Sequence, residues 1–119
     1  MKIGLNRNKI NIEVCDKVFK IGIFPIICES LIVKNDLIEK AWEEQKEHTL
    51  DDINAKNKAQ YDIQFEIVEN LLLANGYDFD KDWWLSHVDM LGLSEFIVFS
   101  KMKDVDPTKL KKKEVIQGH

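Results

Sequence analysis

The sequence predicts an α+β chain: a small N-terminal antiparallel β-meander or hairpin packed on a bundle of about four helices. Three observations predict it. Apolar and polar residues alternate between Ile10 and Phe24, the period-two pattern of a strand with one wet face. After Pro25 the apolar spacing becomes helical, and capping residues recur at Asp36, Thr49, Asp80 and Asp89. The chain has 119 residues, 45% apolar and 32% charged, which suits one domain around one core rather than two. That domain reads as a β part over 1–24, a helical part over 25–104 and a basic tail over 105–119.

The elements follow in order. Lys2–Leu5 reads as a short strand, and Asn6-Arg7-Asn8 as a turn, because Asn tolerates positive φ and bonds its own backbone. Ile10, Ile12 and Val14 alternate with Asn11 and Glu13. Cys15-Asp16-Lys17 is a tight connection, and Phe19, Ile21 and Ile23 continue the alternation. Pro25 ends the strand because it lacks an N–H for the ladder. Ile26–Val33 fits a short helix or a fourth strand. Asp36 with Glu39 reads as a capping-box-like helix start, with Leu37, Ile38, Ala41 and Trp42 on its apolar side.

Thr49 with Asp52 starts the longest helix, about Leu50 to Ala74. At about 100° per residue, Ile63, Gln64, Phe65, Ile67, Val68, Leu71, Leu72 and Tyr61 fall within an arc of about 200°. A surface helix needs a stripe of only about 100°, so this helix is expected to be the spine of the core or to meet a partner as well. Asn75-Gly76 is its C-cap, with Gly at the left-handed position. Asp80 caps a short helix carrying Trp83, Trp84 and Leu85. Asp89 caps another, Met90 to about Lys103, with Met90, Leu93, Phe96 and Ile97 inward. Asp106-Pro107 starts a last piece, Thr108–Val115.

Several function classes are excluded at this level. No apolar run approaches the roughly 18 residues needed to cross a bilayer. The opening MKIGLNRNKI has neither the apolar core nor the cleavage site of a signal peptide, so a cytoplasmic protein is expected. Cys15 and Cys28 cannot make a disulfide framework; two buried free thiols are expected, with a single bridge between them as the alternative. Residues 1–23 carry five basic and two acidic side chains, residues 24–100 six and sixteen, and residues 101–119 six and three. The segments are therefore +3, −10 and +3, and an acidic middle is a poor surface for a phosphate backbone. The basic tail, Lys109 and Lys111–Lys113, reads as a solvated helix end, so no nucleic acid is expected as partner.

Site chemistry is sparse. His48, His87 and His119 are not at helical spacing from each other or from a cysteine, so no metal site is expected. Asp78, Asp80 and Asp82 open like a calcium loop, but Trp83 stands where the loop needs Gly and Asp89 where it needs Glu. No Gly-rich phosphate loop, GxSxG or HExxH occurs. A Cys28–His87 pair is the one nucleophile arrangement left to the fold. The chain is expected not to be an enzyme and to need no cofactor.

The aromatic residues carry the remaining signal. Trp83 and Trp84 point about 100° apart on a helix, so either one fills the core while the other stays half-exposed, or the pair anchors a partner. Trp42 sits on an otherwise charged helix. Phe96, Ile97, Val98 and Phe99 wrap about 300° of theirs, which fits either a fully central helix or burial against a second chain.

One stretch, Ile63–Lys103, reads I-x-x-x-x-V-E-N-L-L-L-A-N-G-Y-D-F-D-x-x-W-W and then D-M-L-G-L-S-E-F-I. With the β-hairpin before it, this resembles the tail assembly chaperones of long-tailed phages. The resemblance implies a non-enzymatic protein of the host cytoplasm that binds another phage protein, such as the tape measure, through helical surfaces. The basic tail departs from it. On this reading Trp42, Trp83, Trp84, Phe96 and Phe99 are the expected contact residues, toward another protein or a second copy of the chain. The competing expectation is a small acidic inhibitor or immunity-type protein whose −10 middle plugs a basic site on a nuclease or other enzyme.

Overall fold

A computed structural model describes residues 9–102. The expected strand Lys2–Leu5 and the last piece, Thr108–Val115 with its basic tail, lie outside them. The described chain runs β1 (Ile10–Val14), β2 (Lys17–Ile21), α1 (Ile26–Glu44), α2 (Leu50–Ala74), α3 (Lys81–His87) and α4 (Met90–Met102). This is the α+β arrangement expected, with a two-stranded hairpin followed by four helices.

The strands pair antiparallel, with Val14 opposite Lys17, Ile12 opposite Phe19 and Ile10 opposite Ile21. The turn between them is Cys15-Asp16, and Cys15 has φ 55°. Positive φ at the first central residue lets a two-residue turn follow the strands' right-handed twist. For a residue with a Cβ it costs roughly 1–2 kcal/mol. Ile12, Phe19 and Ile21 are buried, while Asn11, Glu13 and Lys20 face out. β2 stops two residues short of Ile23, which is exposed.

The ambiguous stretch after Pro25 is helical, and the expected start at Asp36 is not there. α1 begins ten residues earlier, with Pro25 at its N-cap and no side chain capping it. Proline's fixed φ and missing N–H suit that entry, but an apolar run without a capping side chain carries no start signal. Asp36 and Glu39 lie inside the helix. The Glu39 carboxylate accepts from Gln60 Nε2 at 2.8 Å and pairs with Lys56 at 3.1 Å, tying α1 to α2 along their outer seam.

α2 has the bounds expected, and the reason is visible at both ends. Thr49 Oγ1 accepts the Asp52 N–H at 3.1 Å, and an Asp52 carboxylate oxygen accepts the Thr49 N–H at 3.0 Å. At the other end Gly76, at φ 86°, takes the left-handed position. Seven residues of the 200° arc are buried: Ile63, Gln64, Phe65, Ile67, Val68, Leu71 and Leu72. α2 is therefore the spine. α1 lies along one side of it and α4 along another. Gln64 sits inside with its Nε2 donating to Ser94 Oγ on α4 at 3.0 Å, while its Oε1 is buried without a partner among the described residues.

Phe19 joins the hairpin to this bundle. Its ring centroid lies 5.2 Å from Tyr77, 5.7 Å from Trp84 and 5.8 Å from Phe96. Trp84 and Phe96 meet each other edge-on at 5.2 Å. Asn75 locks the chain just after β2. Its Oδ1 accepts the Gly22 and Ile23 N–H groups at 2.8 and 2.9 Å, and its Nδ2 donates to the Ile23 and Leu71 carbonyls at 2.9 and 2.7 Å. One side chain thus caps α2 and holds the hairpin to it.

α4 is not the fully central helix that four consecutive apolar residues allow. Phe96 and Ile97 are buried; Val98 and Phe99 are exposed.

Two predictions follow from these contacts. Asn75→Ala leaves four backbone groups without partners, at least one of them buried. It should lower unfolding stability by about 2–3 kcal/mol in urea titration; a loss under about 0.5 kcal/mol would show that the latch contributes little. The Thr49 backbone N–H, and after it the Thr49 hydroxyl, hold the Asp52 carboxyl below the usual carboxylate range. Its folded pKa is below its unfolded one, so its contribution is present at neutral pH and is lost as pH falls through the folded value. Asp52→Asn should flatten that acid limb of stability against pH, and an unchanged slope would remove Asp52 as its source.

Candidate protein-interaction site

Two surfaces stand out. The first is an open groove of about 750 Å³ between β1, the corner joining α3 to α4, and α4. Ile12–Cys15 line it from β1, Glu95, Phe96 and Phe99 from α4, and His87 to Met90 from the corner. The corner is built by its caps. Asp89 Oδ1 accepts the Gly92 N–H at 2.8 Å, and a Cβ on Gly92 would stand 2.7 Å from Val88 Cγ1. Glycine lets α4 start this close to the end of α3.

The second surface is the outer face of α1. Ile26 is 84% exposed, Val33 57% and Leu37 61%. With Ser30 they occupy an arc of about 60° and a length of about 16 Å. Single exposed apolar residues are ordinary, but a 4-3-4 spacing on one line is the seam of a helix that packs against another helix. Along one flank of the seam run Lys40, Glu29, Asp36 and Glu43, within about 100° of its centre; Glu29 pairs with Lys101 of α4 at 3.2 Å.

The structure distributes the five expected contact residues. Trp84 and Phe96 are each 2% exposed and belong to the core, so neither offers a side chain to a partner. Phe96 only floors the groove, and Phe99 stands exposed on its wall. Trp83 is half-buried. His87 stacks on it at 4.7 Å, Trp84 meets it edge-on at 5.4 Å, and Lys17 Nζ lies 4.4 Å from its ring centre. The tryptophan pair thus divides into one core residue and one half-exposed residue. Trp42 is held apart from these, stacked on His48 at 3.6 Å with Lys56 Nζ 4.8 Å away.

The α1 seam was not among the expected contacts. Its signal was present in Ile26, Val33 and Leu37, but it is readable only once α1 is known to be continuous through Asp36.

The two thiols differ. Cys15 is exposed, not buried as expected, and its Sγ lies 3.6 Å from the His87 carbonyl oxygen. Cys28 is buried, and its Sγ donates to the Ile67 carbonyl at 3.5 Å. Burial, with Glu29 beside it, pushes the Cys28 thiol up to about 11. A thiol held protonated under α2 is not a nucleophile, and His87 is occupied elsewhere, by Trp83. Among the described residues no three His, Cys, Asp or Glu side chains gather as a metal site, and no helix is long and apolar enough to cross a membrane.

Compared with protein-family models, with curated proteins and with solved structures, the chain matches none.

The thiol geometry predicts one fast equivalent of thiol per chain with Ellman's reagent at pH 8. Cys15→Ser should abolish it, and Cys28 should react only at the rate of unfolding. Two fast equivalents would mean that Cys28 is accessible.

Proposed function

We propose that this chain is a non-enzymatic protein-binding module of the tail assembly chaperone type, working in the cytoplasm, which holds another phage protein through apolar helical surface. The observation that carries the reading is the seam on α1. Three large aliphatic side chains on one line are kept in water by a chain whose core is already filled from α2. That arrangement gains its burial on binding.

A second reading draws on the groove, whose charged lining residues among the described ones are Glu13, Asp89 and Glu95. An acidic inhibitor would present such a surface to a basic enzyme site. Salt separates the two: charge pairing weakens as ionic strength rises, and apolar packing does not.

The test is co-purification of the tagged chain from a host or phage lysate, with Leu37→Lys and Val33→Lys as variants. The wild type should retain a structural protein in high salt, and each variant should lose it. Unfolding stability should stay within about 0.5 kcal/mol, since both side chains are exposed. A partner that is retained by both variants, or shed by salt alone, would overturn the seam as its binding site.

A further inference from the structure

The two edges of the hairpin are finished differently. Across a two-residue turn the closing pair Val14–Lys17 exchanges both backbone bonds, and Ile12–Phe19 and Ile10–Ile21 repeat the pattern. By that parity the Lys20 and Gly22 N–H groups leave the ladder on the outer side of β2. They are met there by Tyr77 Oη at 2.8 Å and Asn75 Oδ1 at 2.8 Å. The same parity turns the N–H and C=O of Asn11 and Glu13 outward along β1. Among the described residues none of these four groups has a hydrogen-bond partner. Side chains take the Lys20 and Gly22 N–H groups of the β2 edge, leaving Val18 exposed beside the turn; on the β1 edge, among the described residues, no side chain does so, and that edge is a template for a strand.

The open edge borders the groove. Four consecutive residues, Ile12–Cys15, line it, so main chain as well as side chains is within reach of an occupant. From α4, Phe99 offers exposed apolar surface, with buried Phe96 behind it. Among the described lining residues the charges are of one sign: Asp89 uses one oxygen for the α4 cap, and neither Glu13 nor Glu95 forms an ion pair there. An occupant therefore has to be extended, to match the edge, and cationic, to match the walls.

We propose that β1 receives an extended basic segment of a partner protein as the third strand of the sheet. The segment's main chain would pair with Asn11 and Glu13, and its Lys or Arg side chains would lie over Glu13, Asp89 and Glu95. The proposal rests on reading the chain as a protein-binding module and assigns the groove to one part of the partner. Two outward-facing residues give four main-chain bonds, which a segment of about five residues satisfies.

The test uses the full chain and a fluorescent peptide of alternating lysine and valine. Binding is followed by anisotropy, and amide hydrogen exchange by NMR. The peptide should bind, and exchange at the Asn11 and Glu13 amides should slow at least tenfold in the complex. The N-methylated peptide should bind at least tenfold more weakly. The Glu13→Lys, Glu95→Lys double variant should also lose at least tenfold, with an unchanged thermal midpoint, since both residues are exposed. Failure to bind, or binding that leaves those two amides unprotected, would overturn the proposal. So would amides already protected without peptide, which would mean that the chain's own N-terminal segment fills the edge. None of these failures touches the α1 seam, whose variants are Leu37→Lys and Val33→Lys; a partner lost by those variants while the peptide fails would leave the functional reading standing without the edge.

Discussion

The described fold depends on covering the single apolar face of a two-stranded sheet. A lone hairpin is at best marginally stable in water, and this one has little besides Ile12, Phe19 and Ile21 to bury. Phe19 meets that need by entering an aromatic cluster drawn from three other places: Tyr77 after α2, Trp84 on α3 and Phe96 on α4. Each of these residues is positioned by a different cap, so the caps and the cluster support one another. Asn75 adds direction to an otherwise non-directional contact. It is the C-cap of α2, yet three of its four hydrogen bonds reach the chain leaving β2.

The same economy explains where the binding surfaces lie. α2 takes most of the core, with seven buried residues, whereas α1 buries only Cys28 and Leu31. A 19-residue helix with so few buried positions has an apolar face left over, and Ile26, Val33 and Leu37 are on it. Of the large aromatics that would ordinarily be suspected of binding a partner, all but Phe99 are consumed by the cluster around Phe19 or held by a stacked histidine. Aliphatic residues on a charged helix, less conspicuous in the sequence, are the ones left in water.

Much of this was legible in the sequence for a local reason. Capping is a contact over three or four residues, so Thr49 with Asp52, Asn75-Gly76, Asp80 and Asp89 gave the ends of three helices directly. Strand alternation and the wide arc of α2 were likewise legible, because period and burial are linked within one element. The start of α1 was not. Pro25 lacks a side-chain cap, and Ile26–Val33 satisfies helix and strand patterns alike; the choice was made by packing Cys28 and Leu31 against α2. Cys15 was expected inside from the habits of its residue type, and the turn geometry put it outside.

By itself the sequence determined that this is an α+β chain with a hairpin first, where most helices begin and end, and that α2 is the spine. These follow from short-range hydrogen bonding and from periodicity. Only the tertiary structure decided which of Trp83 and Trp84 is core, that Phe96 is unavailable, that Cys28 and His87 have separate partners, and that, among the described residues, side chains meet the β2 edge at Lys20 and Gly22 but not the β1 edge. Those outcomes depend on side chains 50 or more residues apart, such as Gly22 and Asn75. No local pattern encodes them, because a residue's exposure is set by what the rest of the chain brings to it.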